Sequence, residues 1–259
     1  MRFSLITPSL NQGRFLPECL RSVQTSAGQK EIEHLVIDGG SIDASVDVLT
    51  GQTFARWISE PDRGQSAAIN KGLVQSKGEI LSYLCADDFL EPGALDLVDA
   101  AFRENPAADF VYGDAFFLEG DSGWKRLKRA GEFSVTRLRR GNFLLQPAVF
   151  WRRRVYEHFG GFDETLNYCM DHEYWLRTSS TMRWKYLPHP LATCRLHPDA
   201  KTSRALALAW AESAQMQLRY GICYRPRWEA WWMQMAGGRF YTFKRRLFAG
   251  LGKFRKSSP

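Results

Sequence analysis

The chain has 259 residues, 44% of them hydrophobic, with a formal net charge of +7; that suits one large α/β domain or one domain plus a substantial tail. Its five cysteines (Cys19, Cys85, Cys169, Cys194, Cys223) are odd in number and widely separated, with no CxxC pair, which argues against a disulfide framework and a zinc site. No apolar run approaches the roughly 18 residues of a membrane span, and the N-terminus opens on a strand without a signal pattern, so a reducing cytoplasm is the expected compartment.

Phe3 to Ile6 reads as a buried strand, Thr7 to Gly13 as a turn, and Leu16, Leu20 and Val23 recur at helical spacing. The turn lacks the glycine pattern of a dinucleotide or P-loop phosphate cradle, which disfavours nicotinamide dehydrogenases and Walker-type ATPases. A second unit follows: strand His34 to Ile37, turn Asp38 to Asp43, and a short helix with Val46 and Leu49 on its apolar face. At the strand's end Asp38 either accepts a hydrogen bond from a base or ribose or caps the helix, as Asp43 could equally. A third strand, Phe54 to Ile58, leads through Ser59 to Ser66 into a helix, Ala67 to Val74, that carries Asn70 and Lys71. Three β-loop-α units in series predict a parallel sheet with helices on its faces.

The fourth strand ends in LSYLCADDFLEP. Apolar residues at β spacing (Ile80, Leu81, Tyr83, Leu84) stop at two adjacent acids, Asp87 and Asp88, before Pro92-Gly93 opens the next helix. In an open α/β sheet the ligand crevice lies beyond the carboxyl ends of the strands, where paired acids suit a divalent cation and a phosphorylated ligand. The competing reading is a solvated loop or helix-cap pair.

Further on, strands are expected over Asp109 to Phe117 and around Trp124. Lys125 to Arg129 reads as a solvated basic hairpin, Asn142 to Phe150 as a buried strand containing Gln146-Pro147, and a helix is expected from Tyr168. That helix puts Asp171, Trp175 and Thr178 on one face. As a helix-terminal carboxylate, Asp171 is also favoured by the helix dipole.

ITPSLNQGRFLPECLRSV, HLVIDGGSIDAS, SEPDRGQSAAINKG, EILSYLCADDFLEPGAL, LLQPAVFWRR, FGGFDETLNYCMDHEYWLR and RLHPDAKTS follow in order over about residues 2 to 203. Together they resemble family 2 of the nucleotide-sugar glycosyltransferases, especially the bacterial enzymes that build surface polysaccharides. The resemblance implies the α/β GT-A fold: a Rossmann-like, mostly parallel central sheet flanked by helices, here with a C-terminal helical extension. It implies a glycosyltransferase domain over 1–204, with a nucleotide-sugar half to about residue 115 and an acceptor half beyond it. Pro8, Ser9, Asn11, Asp38, Asp62, Asn70 and Lys71 would then bind the nucleotide sugar. Asp87 would face the ribose and Asp88 would ligate Mn2+ or Mg2+. Gln146 and Trp175 would border the acceptor, and Asp171 would be the base of an inverting displacement, with Glu173 as its backup. His197 is either a metal ligand, a diphosphate contact or structural, and Lys201 could neutralise phosphate. A hard cation held by carboxylates stabilises charge developing on a departing diphosphate, while a partly buried Asp has the raised pKa that suits a base.

Ten Lys or Arg and one acid fall between Arg219 and Pro259, a net of +9 that leaves residues 1–218 at −2. Leu206, Ala209, Trp210, Ala214 and Leu218 suggest an amphipathic helix opening a basic, aromatic tail over 205–259. Its composition suits an anionic membrane surface, with a partner protein or the body of the chain as the alternative. The expected setting is therefore the inner face of the plasma membrane, with a glycan or lipid-linked glycan as acceptor. The near-neutral body and the absence of a recognised motif disfavour nucleic acid. Two rivals remain: a sugar-nucleotide pyrophosphorylase, whose glycine-rich basic N-terminal loop is missing, and a catalytically degenerate sugar-binding or scaffolding subunit.

Overall fold

The computed structural model describes residues 2–28, 30–120, 123–201 and 205–222. The first half alternates strand and helix: β1 (Phe3–Ser9), α1 (Leu16–Ala27), β2 (Ile32–Asp38), α2 (Ser45–Thr50), β3 (Arg56–Ser59), α3 (Gln65–Gln75) and β4 (Ile80–Tyr83). All three β1–β4 pairings here are parallel, in the order β3-β2-β1-β4, as the three repeated units predict. Every residue of β1 is buried, the pattern of a central parallel strand covered on both faces. Phe3 and Leu5 join a core with Cys19 and Val23 of α1. Ile6 points the other way, onto α3, where a Cβ at Gly72 would come within 2.5 Å of it. The close approach of α3 to the sheet therefore requires glycine at that position.

The second half comprises β5 (Phe89–Leu90), α4 (Ala94–Glu104), β6 (Phe110–Glu119), β7 (Trp124–Lys128), α5 (Val135–Arg140), a 3-10 turn (Gln146–Ala148), β8 (Val149–Arg152), α6 (Arg153–Phe159), α7 (Met170–Thr178) and β9 (Trp184–Leu196). The sheet continues β4-β8-β6-β9-β5, with β7 hydrogen-bonded to β6. β8 runs antiparallel to both β4 and β6, whereas β9 runs parallel to β6. Six strands (β1, β2, β3, β4, β6, β9) thus point the same way and share one edge for their carboxyl ends.

Two expectations are corrected. Asn142 to Phe150 is not one strand: Pro147 lacks the N–H a central strand needs, so the chain makes a 3-10 turn before β8. The helix expected from Tyr168 starts at Met170. The solvated basic hairpin expected over Lys125 to Arg129 is present, with Lys125 to Lys128 in the exposed strand β7 paired antiparallel to β6. Strand β9 was not anticipated at all; its prolines, Pro188 and Pro190, sit beside a register shift at Asp114, the irregularity that tolerates them.

The chain divides into two compact units, Met1–Pro198 and Asp199–Pro259. The described part of the second unit includes the expected helix, α8 (Leu206–Arg219). Residues 223–259, which hold most of the basic aromatic tail, lie outside the described residues. Among the described residues no helix is long and apolar enough to cross a membrane.

Candidate active site

The site is built around the end of β4. A turn closed by Asp88 N–H donating to the Cys85 carbonyl at 2.9 Å throws Asp87 and Asp88 beyond the strand before β5 turns back onto β9. The Asp88 carboxylate, 9% exposed, accepts the backbone N–H of Arg195 at 2.9 Å. Arg195 also donates from Nε to the Asp87 carbonyl at 3.2 Å and pairs with Glu18. Its guanidinium lies between the rings of Phe15 and Phe89, 5.1 and 5.6 Å from their centroids. His197 Nε2 is 3.1 Å from Asp87 Oδ2, and its ring lies 4.6 Å from that of Phe15. Burial, then the charge of Asp87, push the Asp88 pKa well up, with Arg195 opposing.

These residues fit a divalent cation. Cys85 Sγ and one carboxylate oxygen from each of Asp87 and Asp88 lie within 4.8 Å of one another, close enough for one ion to touch all three. Two adjacent carboxylates, Asp88 buried and Asp87 half-buried, are a charge arrangement that a cation relieves.

Beside this cluster, register places Ser9, Asp38 and Ser59 in one row across the tips of β1, β2 and β3. Asp38 is fully buried and accepts from Ser41 N–H at 2.8 Å, Ser41 Oγ at 2.5 Å and Ser59 Oγ at 2.7 Å. Its carboxylate therefore anchors the β2 turn instead of facing solvent. Pro8 is buried in β1, while Ser9 Oγ, also buried, has no hydrogen-bond partner among the described residues. Asn11 is the non-glycine residue with positive φ (53°) among those described; its side chain accepts Ile42 N–H at 2.9 Å and so ties the first two turns together. Asp62 caps the turn into α3 through Gly64 N–H at 2.7 Å. Asn70 exchanges hydrogen bonds with the backbone of Phe162, at 2.9 and 2.8 Å, and Lys71 pairs with Glu60 at 2.6 Å. Asn70 thus staples α3 to the segment that precedes α7.

On the far side of β4, Gln146 donates to the Tyr83 carbonyl at 2.5 Å and accepts from the Cys85 thiol at 3.7 Å. Asp171, half-buried at the start of α7, accepts Asn142 Nδ2 at 2.8 Å and His172 N–H at 2.7 Å. Burial raises its pKa, with His172 and Asn142 pulling the other way. Tyr83 is buried, and after burial itself the charges of Asp171, Cys85 and Asp88 all disfavour its ionisation. Asp171 and Asp88 are therefore both near enough to Tyr83 to act on it electrostatically.

Trp175 does not line this cleft. It is fully buried, edge-on to Phe110, Trp151, Phe162 and Trp184, because an indole of that size stabilises the fold by filling the space under α7. Glu173 is buried and paired with Arg177 at 2.9 Å. His34 is buried too, its pKa pushed down to about 3 by burial, and bonds Thr7 at 2.8 Å. Sequence reasoning missed Cys85, Asn142 and Arg195 as site residues. Asn142 and Arg195 owe their relevance to partners more than 28 residues away, whereas Cys85 lies in the same turn as the acidic pair and was passed over because a lone cysteine has no metal-ligand spacing.

The sequence model described as "Glycosyl transferase family 2" matches residues 4–162. A PGL/p-HBAD biosynthesis glycosyltransferase of Mycobacterium tuberculosis is 30% identical over 187 residues, covering 69% of this chain and 70% of the relative. Among solved structures, S. aureus TarS 1-349 in complex with UDP-GlcNAc superposes with a TM-score of 0.67 at 15% identity, over 89% of this chain and 69% of that one. The mannosyltransferase PcManGT from Pyrobaculum calidifontis, in complex with GDP-Man and Mn2+, gives 0.62 at 17% identity, over 87% and 66%. At those identities the structures bear on the fold alone, and the fold is that of the GT-A glycosyltransferases. With the family match spanning most of the sheet and both sides of the β4 tip, the chain belongs to glycosyl transferase family 2.

Proposed function

We propose that the protein is a metal-dependent inverting glycosyltransferase that moves a sugar from a nucleotide diphosphate sugar to an acceptor hydroxyl. The observation that supports this reading most is that two separate acids, Asp88 beside Asp87 and Asp171 at the start of α7, both act electrostatically on the buried Tyr83 at the end of β4.

In this reading the β1–β3 tips and the start of α3 bind the nucleotide. Pro8, Ser9, Asn11 and Asp62 form the wall nearest the base and ribose, and Asp38 acts through the Ser41 turn it anchors. Asn70 and Lys71 support that wall through Phe162 and Glu60. Asp87 faces the ribose. Asp88 and His197, with Asp87 beside them, would hold Mn2+ or Mg2+, which when bound stabilises charge on the leaving diphosphate. Asp171 accepts the proton of the acceptor hydroxyl as that oxygen attacks the anomeric carbon opposite the leaving group. Its burial-raised pKa makes it a stronger base, and Asn142 holds its orientation. Gln146 borders the acceptor, and Trp175 supports the α7 backbone from beneath.

The proposed acceptor is a lipid-linked glycan at the inner face of a bacterial membrane. This is supported by the basic aromatic composition of residues 219–259; the M. tuberculosis relative is a PGL/p-HBAD biosynthesis glycosyltransferase. Thermal shift against UDP, GDP, dTDP and CDP, with and without Mn2+, tests the donor side, because a ligand bound only by the folded state raises the melting point. No metal-dependent shift with any nucleotide would overturn the reading. Flotation of the full-length protein with anionic vesicles but not with neutral ones tests the membrane part.

A further inference from the structure

We propose that Cys85 is itself a ligand of this cation site and gives it a preference for thiophilic divalent ions over Mg2+. The inference rests on the metal-dependent reading above and adds a specificity-determining residue to it.

Three observations carry the proposal. First, Cys85 Sγ lies within 4.8 Å of an oxygen of both Asp87 and Asp88. Donor atoms sharing one ion at bond lengths of about 2.1 to 2.5 Å stand no more than about 5 Å apart. All three side chains leave one tight turn whose backbone bond, Asp88 N–H to Cys85 carbonyl at 2.9 Å, fixes their relative positions.

Second, the thiol already has the surroundings of a ligand. Gln65 Nε2 donates to Sγ at 3.2 Å, and such a bond persists and strengthens when sulfur carries charge. Gln146 accepts from the thiol at 3.7 Å while its own amide is tied to Tyr83. Binding breaks the S–H bond, forms a metal–sulfur bond and releases the proton to buffer, so the bond to Gln146 is given up and the one from Gln65 kept. Third, a further donor stands beside the cluster: His197, 6% exposed, has Nε2 3.1 Å from Asp87 and no partner for Nδ1 among the described residues.

Softness decides the consequence. Oxygen-only sites accept Mg2+ readily, whereas thiolate favours Mn2+ slightly and Zn2+ or Cd2+ strongly. The neighbouring thiols are placed differently: Cys19 Sγ lies against Thr7 and the Cys85 carbonyl, at 3.9 and 3.8 Å, and Cys194 lies on β9 in register with Phe117 of β6, outside the turn that carries Cys85, Asp87 and Asp88.

The test is Cd2+ titration of the full-length protein without nucleotide, read by the near-ultraviolet thiolate-to-metal charge-transfer band and by competition with Mg2+. One equivalent should develop the band in the wild type and in Cys194→Ser. Cys85→Ser and Cys85→Ala should lose it, weaken Cd2+ binding at least about tenfold and leave Mg2+ binding within about twofold. Asp88→Asn, which keeps the thiol, should also weaken Cd2+ about tenfold if one ion is shared. A wild-type protein without the band, Cys85 variants that retain it, or Asp88→Asn with unchanged Cd2+ affinity would each overturn the proposal. Thermal shift by a nucleoside diphosphate with Mg2+ separates the two readings: if it survives in the wild type while the band is missing, only the role of Cys85 falls. If it is absent as well, the metal-dependent function falls with it.

Discussion

The strand tips of the nucleotide side and the tip of β4 are built from similar residues and behave differently. At β2, Asp38 is buried but satisfied by Ser41 and Ser59, and Asp43 by Gly13 N–H and Ser45 at 2.9 and 2.5 Å. Each negative charge there is met by neighbouring donors, and the result is a rigid turn. At β4, Asp88 is buried beside another carboxylate, its pKa raised well above the ordinary range. Arg195, which donates to Asp88, and His197, which contacts Asp87, come from more than 100 residues away. A carboxylate left partly uncompensated in a cleft marks a place where a ligand completes the charge balance; a fully compensated one marks scaffolding.

Removing the strained charge sharpens the contrast most. Asp88→Asn should abolish the metal-dependent thermal shift and cut transfer by about a thousandfold, the scale of losing electrostatic stabilisation of a leaving group. The same variant should melt higher than the wild type in chelator, by about 2–4 °C for each kcal/mol of relieved repulsion. A group whose folded pKa is raised binds its proton more tightly folded than unfolded, so the wild type without metal loses stability as pH rises through the folded pKa of Asp88. Asp88→Asn should flatten that dependence, and added Mn2+ should oppose it.

Next in size, Asp171→Asn should keep donor and metal binding within about twofold while lowering kcat by about 10²- to 10⁴-fold, the usual contribution of a general base. Asn142→Ala should act through Asp171. Because the Asn142 bond lowers the Asp171 pKa, its loss should move the acid limb of the kcat profile to higher pH, with a decrease of about tenfold or less at neutral pH. Smallest of all, Ser59→Ala should cost about 1 kcal/mol of stability, one neutral-to-charged hydrogen bond among several, with metal binding unchanged. An equally large loss of metal binding in Ser59→Ala would erase the distinction between the two tips.

β1, β2 and β4 were readable because they are rich in apolar residues and their turns carry glycine, proline and short polar residues, whereas β3, an exposed to half-buried Arg-Trp-Ile-Ser, was legible as the third repeat of the same unit and lies at Arg56–Ser59 rather than Phe54–Ile58. The acidic pair stood out at its strand end in the same way, while Asp171 was singled out by the family resemblance. β9 was not readable, since Pro188 and Pro190 and its basic residues obscure any alternation, and its pairing with β6 depends on a bulge at Asp114. Arg195 inherits that opacity: its hold on Asp87 and Asp88 exists only once β9 is in register. Trp175 shows the opposite failure, where helical spacing placed it correctly beside Asp171 but could not tell a cleft wall from the aromatic layer beneath.

The most direct measurement is the anomalous signal of Mn2+ in crystals grown with a nucleoside diphosphate. The account predicts the ion on the Asp88 carboxylate, bridging to the diphosphate, with the Asp171 carboxylate opening into the same cavity. An ion bound elsewhere, or Asp171 walled off from the diphosphate by the α7 segment, would contradict it.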